Sequence, residues 1–155
     1  MIQRIQTVYL LFGAIASCLL FGGNYLMFID ETGRETLIKF SGIYQQAGNG
    51  MVELIKNFLP VTAIIALIPL LALIAIFFFK NRKLQIRITY SLIFLEIVLI
   101  LLTLVYVVSF TSRHSYSIKP GFIIIMPLIS LILFLLACRS IKKDDELVKS
   151  YDRLR

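Results

Sequence analysis

Four long apolar runs nearly free of charge, residues 7–29, 58–79, 88–110 and 121–138, constrain this chain more than any other feature. A hydrocarbon core of ~30 Å is crossed by about 20 helical residues at ~1.5 Å of rise each, so the shortest run just covers it and the others have residues to spare. Backbone groups in that medium find no water, and runs this long and continuous satisfy them as helices rather than as barrel strands. Composition agrees: 59% of residues are apolar, 16% are charged and the mean hydropathy is +0.88. Soluble domains stand nearer 45–50% and about 25%, so an ordinary soluble enzyme is excluded. The expected fold is an all-α membrane protein, a bundle of four transmembrane helices forming one domain over residues 1–155.

Basic residues set its orientation. Arg4, the cluster Lys80, Arg82, Lys83 and Arg87, and the tail residues Arg139, Lys142, Lys143, Lys149, Arg153 and Arg155 lie on one side, against five Lys and Arg on the other. Basic residues are retained in the cytoplasm, which puts both termini of this multi-pass chain there. The formal net charge of +7 is spread over these flanking segments without an aromatic-rich basic groove. It therefore reads as topology signal and attraction to anionic lipid, not as nucleic-acid binding. Arg4 followed by Ile15-Ala16-Ser17-Cys18 imitates a lipoprotein signal, but the apolar run continues to residue 29, longer than a signal's ~7–15-residue core, so an uncleaved first span is expected. Cys18 lies mid-span and Cys138 at the far end of the fourth run, too distant for a disulfide and without metal-ligand company.

Glu96 is the one carboxylate inside the four runs. An ionised carboxylate there costs about 2.5–3.5 kcal/mol on the more lenient scale, so a neutral, hydrogen-bonded acid facing the bundle interior is expected. Thr89, Glu96 and Thr103 recur every seven residues on one face, with Tyr106 beside them, and depth counting brings Ser130 level with Glu96 and Ser17 slightly higher. This cluster reads either as a proton or cation relay or as a polar clamp that fixes helix register. Pro69, mid-run, is a candidate hinge, because it removes one helical hydrogen bond. Gly13 and Ser17, and Ala14, Cys18 and Gly22, form small ridges for close helix contact.

The outer loop, residues 30–57, is too long for a passive turn. Its strand-like residues around a Gly48-Asn49-Gly50 turn suggest a small β-hairpin, while residues 51–57 equally suit an extension of the second helix. His114 stands in the second outer connection without carboxylate or thiol neighbours in sequence and is read as a solvated loop residue. The tail, residues 139–155, carries Leu147, Val148, Tyr151 and Leu154 at helical spacing, as in a cytoplasmic amphipathic helix able to lie on the bilayer or dock a partner, or in a solvated extension of the fourth helix.

No Ser/His/Asp set, HExxH motif, paired carboxylates or phosphate-cradling glycine loop is present, so no catalytic, cofactor or metal site is expected. The N-terminal Met1-Ile2-Gln3-Arg4-Ile5-Gln6-Thr7-Val8-Tyr9-Leu10, the four runs, and a tail from Ile141-Lys142-Lys143-Asp144 to Asp152-Arg153-Leu154-Arg155 together resemble a family of small four-span membrane proteins of Bacteroidota, domain-of-unknown-function family 4293. That resemblance implies an inner-membrane location and carries over no activity. The segment Phe40-Ser41-Gly42-Ile43-Tyr44 also resembles the outer loop of tetraspan adhesion folds with an extracellular sheet, although their paired loop cysteines are missing. The expected role is a non-catalytic accessory, scaffold or assembly subunit of a membrane complex, with a protein partner or a homo-oligomer. The alternative is a small oligomeric transporter or channel using Glu96.

Overall fold

The computed structural model describes residues 3–29, 35–46, 52–79, 81–111 and 117–153. Its elements in order are α1 (Gln3–Leu19), β1 (Asn24–Ile29), β2 (Glu35–Lys39), β3 (Gly42–Gln46), β4 (Val52–Asn57), α2 (Leu59–Phe77), α3 (Arg82–Thr111), β5 (Ser117–Pro120), a 3-10 turn (Phe122–Ile125) and α4 (Met126–Arg153). Three helices, α2, α3 and the stretch Phe122–Val148 formed by the 3-10 turn and most of α4, are long and apolar enough to cross a membrane, and α1 is a shorter apolar helix. Each helix packs on two others in a closed order, α1 on α2 and α4, α3 on α2 and α4. The α2–α3 turn lies at one end of this group and the sheet at the other.

The exterior of the helices departs from that of a soluble protein, while the interior mixes large apolar side chains such as Leu10, Ile65, Leu99 and Phe134 with small and polar ones. Lipid-sized apolar side chains point outward on every helix, among them Phe12, Leu70, Phe77, Phe94, Val108 and Leu128. Small or polar ones turn inward: Ala14, Ser17, Ala72, Ala75, Gln85, Thr89, Glu96, Ser130 and Ala137. Apolar exposure on this scale is untenable in water and natural in lipid, where close backbone approach and interior hydrogen bonds hold helices together.

The apolar run 7–29 is not one helix, which corrects the expected first span. α1 starts at Gln3 and stops at Leu19, and its last carbonyls tighten into three-residue steps, with Leu20, Phe21 and Gly22 amides donating to Ser17, Cys18 and Leu19. The Gly22-Gly23 pair then turns the chain into β1. A Cβ on Gly23 would overlap Ile123, and one on Gly121 would overlap the Asn24 carbonyl, so these two glycines let β1 close on the start of the fourth run. Hydropathy could not separate the two pieces, because β1 is a central strand whose Leu26 and Phe28 are buried, as apolar as the helix before it.

The expected hairpin is likewise a larger object, and the chain is mainly helical rather than all-α. Five antiparallel strands run in the order β4-β3-β2-β1-β5. β5 comes from the second outer connection and pairs with β1, Phe28 opposite Ile118, so both connections are knitted into one sheet. Val52–Asn57 is a strand, not an extension of α2, and a bulge separates its pairs Tyr44–Leu54 and Ile43–Lys56. Links from the sheet to the start of α2 include the Phe58 amide, which donates to Ser41 O, and Thr62 Oγ1, 3.2 Å from Phe40 O. The Gly48-Asn49-Gly50 turn and His114 lie outside the described residues.

The other runs keep their helices, with Leu59–Phe77 close to the expected 58–79, α3 starting six residues earlier than 88, and the fourth opening as a 3-10 turn before α4. The tail is no separate amphipathic helix, since α4 continues without a break through Arg153. Leu147 and Val148 are partly exposed on that extension, Tyr151 lies in it, and Leu154 is outside the described residues.

Candidate functional site

α3 buries Gln85, Thr89, Leu92, Glu96, Leu99 and Thr103 at alternating steps of three and four, and α4 buries Ser130, Phe134, Ala137, Ile141 and Asp144 the same way. These two stripes face each other, and Glu96 meets Ser130 where depth counting places them level. Ser130 Oγ donates to Glu96 Oε1. The same hydroxyl is within reach of Pro127 O at 3.0 Å and Met126 O at 3.1 Å, and one hydrogen serves one of these acceptors at a time. Glu96 is fully buried, and its Oε2 has no partner among the described residues.

The other members of the expected cluster do not join it. Thr89 Oγ1 donates to Gln85 O at 2.8 Å, Thr103 Oγ1 to Leu99 O at 2.8 Å, and Ser17 Oγ to Gly13 O at 2.9 Å. Each hydroxyl thus satisfies itself on its own helix, an outlet open to any Ser or Thr in a helix. Leu92, Leu99 and Phe134, all fully buried, close the Glu96–Ser130 pair above and below. Pro69 is buried within α2, which runs through it as one helix.

A second buried polar group, missed in the sequence, lies at the end away from the sheet. Gln6 of α1 donates to Asp144 of α4, Arg82 Nη1 of α3 donates to the Asp144 carbonyl at 3.0 Å, and Gln85 Nε2 donates to Ala75 O of α2 at 3.1 Å. Asp144 is 6% exposed, and its Oδ1 has no partner among the described residues. All four helices are therefore laced together where α2 turns into α3. Asp144 sits in the charged tail and looks solvated by composition, but it continues the buried step of α4 from Ile141, and that spacing was the signal.

At the sheet end, Tyr25, Ile38, Lys39, Phe40, Phe58, Val61, Thr103, Tyr106 and Val107 line a pocket of about 240 Å³ including its open mouth. Its enclosed part is about 10 Å³, room for a single water-sized group, against about 300–1,000 Å³ in small-molecule sites. Tyr106, expected beside Glu96, instead stacks on Phe58 at 4.2 Å with Lys56 Nζ 5.9 Å from its ring. Burial pushes the Tyr25 phenol above its ordinary value, and the Thr103 hydroxyl pulls weakly the other way. An acid held neutral by the fold stabilises it fully below the unfolded value of about 10, and that contribution fades as pH rises through the folded one. Thermal midpoints should therefore fall more steeply above pH 10 in the wild type than in Tyr25→Phe, and parallel curves would remove Tyr25 from the joint. Among the described residues, no three metal-ligating side chains come together.

Three helices long and apolar enough to cross a membrane, packed with a shorter apolar helix and capped by a sheet, are compatible with an integral membrane protein. A family model described as a domain of unknown function, DUF4293, matches residues 2–154, and the chain belongs to that family. No curated protein matches the chain.

If the pair clamps α3 to α4, Ser130→Ala should lower stability in detergent by about 0.6–2 kcal/mol, the range of interhelical hydrogen bonds. Glu96→Gln, which keeps shape and hydrogen bonding, should leave the midpoint within about 0.5 kcal/mol, the scatter of neutral substitutions. The reverse order of the two would contradict the clamp.

Proposed function

We propose that this protein is a non-catalytic accessory, scaffold or assembly subunit of an inner-membrane complex, with α1 as a fourth span and both termini cytoplasmic. The observation that carries this reading is the sheet. Both outer connections are spent on one ordered platform, and its edge strand β4 leaves Leu54 and Ile55 50% and 56% exposed. An open edge carrying apolar side chains is a surface for another chain. The α1 helix supports a short fourth span: Ile5, Val8, Leu11, Phe12, Ile15 and Leu19 are exposed along it, and a span this short is accommodated by local thinning of the bilayer.

Gentle purification of the tagged protein, followed by mass measurement and identification of co-purifying chains, tests the role. One stoichiometric partner, lost with Leu54→Glu while the thermal midpoint holds, is the expected result. A lone monomer that retains no partner under any mild condition would contradict it. A second reading, a small oligomeric transporter or channel, draws on the unpartnered Oε2 of Glu96. Transport needs a polar path through both leaflets, and Thr89 and Thr103, on the same face of α3, are already bonded to their own helix. Proton flux into liposomes that disappears with Glu96→Gln would favour this second reading over the first.

A further inference from the structure

The outward face of α3 carries Lys83, Arg87, Tyr90, Phe94, Ile97 and Leu101 in steps of four and three, and every one is exposed. The outward face of α4 carries Leu128, Ile132, Leu135, Arg139 and Lys142 in the same steps, again all exposed. Each stripe is apolar toward the sheet and basic toward the other end, and neither meets an acid before Asp145 and Glu146, in the turn beyond Lys142. The nearer acid, Asp144, is turned inward to Gln6.

The stripes meet at one point, where Lys142 Nζ lies 4.8 Å from the centre of the Tyr90 ring. Counted from the Glu96–Ser130 contact at ~1.5 Å per residue, Tyr90 stands about 9 Å and Lys142 about 18 Å toward the basic end. Side chains lean toward their helix N-terminus, so Tyr90 leans outward to the basic end, while Lys142 leans back toward the bilayer. A lysine at a membrane edge ordinarily snorkels the other way, to water. Here its ammonium is held over an aromatic face at the depth where apolar side chains give way to basic ones, with Arg139 one turn nearer the sheet on α4 and Arg87 one turn below Tyr90 on α3.

We propose that this α3–α4 face is a binding site for an anionic phospholipid. The phosphate sits among Arg87, Arg139 and Lys142 beside the Tyr90 ring, and an acyl chain lies along Phe94 and Leu135. The charge complements a phosphate, and the apolar stripe running from the same point complements the chain attached to it, which distinguishes a lipid from a free anion. The site rests on the reading of the chain as a membrane protein.

The test uses the full chain, purified in detergent and stripped of lipid, titrated with dioleoyl phosphatidylglycerol or dioleoyl phosphatidylethanolamine and followed by native mass spectrometry. Wild type should bind the anionic lipid at least tenfold more tightly, and excess inorganic phosphate should not displace it. Arg87→Gln with Lys142→Gln should abolish the preference, whereas Lys39→Gln with Lys56→Gln, which removes the same charge at the sheet end, should change it less than twofold. Equal binding of both lipids, displacement by phosphate, or equal losses from the two double variants would overturn the site. Should the first pair fail to fold, Tyr90→Leu keeps every charge and removes the ring under Lys142. It should weaken the preference about threefold, and an unchanged preference would overturn the site equally. Extraction of native membranes with alkaline carbonate separates the two levels. Release of the chain would refute the membrane reading itself, whereas a retained chain without lipid preference would refute only the site.

Discussion

Gly13→Leu is expected to be among the most damaging single substitutions in the helices. A Cβ at position 13 would stand 2.5 Å from the Phe134 ring, which is fully buried where α4 crosses α1. Overpacking of a closed core costs about 1–3 kcal/mol, and here the added atoms meet an aromatic ring that has no free side to move to. The thermal midpoint in detergent should fall sharply, and α1 should become accessible to protease while the α3–α4 pair remains. Adding a smaller side chain opposite, Gly13→Leu with Phe134→Leu, should recover part of the loss, because the double-mutant cycle tests that one contact. Equal damage from the compensated pair would mean that Phe134 matters to other neighbours more than to Gly13.

Phe28→Ala should be as severe in the sheet. Phe28 has no accessible surface in the interior strand β1, between Thr36 of β2 and Ile118 of β5. Truncating a buried phenylalanine costs about 3–5 kcal/mol, through lost transfer energy and the cavity left behind. A five-stranded sheet of short strands has little stability in reserve, so the expected outcome is a sheet open to protease on helices that still insert. Unchanged protection of the sheet would show that the helices, rather than β1, hold it together.

Much of this architecture was legible in the sequence, for reasons specific to lipid. Runs such as 58–79 and 88–110 have no soluble explanation, and Glu96 stood out because a lone carboxylate in such a run is expensive. Depth counting offered Ser130 and Ser17 as its partners, and Ser130 is the one that meets it. The end of α1 was hidden because a buried central strand and a membrane helix draw on the same residues, and only the Gly22-Gly23 pair marks the change between them. β5 was invisible for a different reason: its pairing with β1 is long-range, set by the fold and not by local alternation. The hydroxyl cluster failed in detail because Thr89, Thr103 and Ser17 each have a carbonyl one turn back, which competes with any partner across the bundle. Asp144 was overlooked because a charged tail looks solvated until its three-residue step from Ile141 is counted.

The proposed topology puts the sheet and the α2–α3 end on opposite sides of a membrane, with the sheet outside. Single cysteines at Glu53 in β4 and at Lys143 in α4, both exposed, report on it in a Cys18→Ser, Cys138→Ala background. A membrane-impermeant maleimide should label the position 53 cysteine in intact cells and reach position 143 only after lysis. Labelling of both positions in intact cells, or of position 143 alone, would contradict the claim.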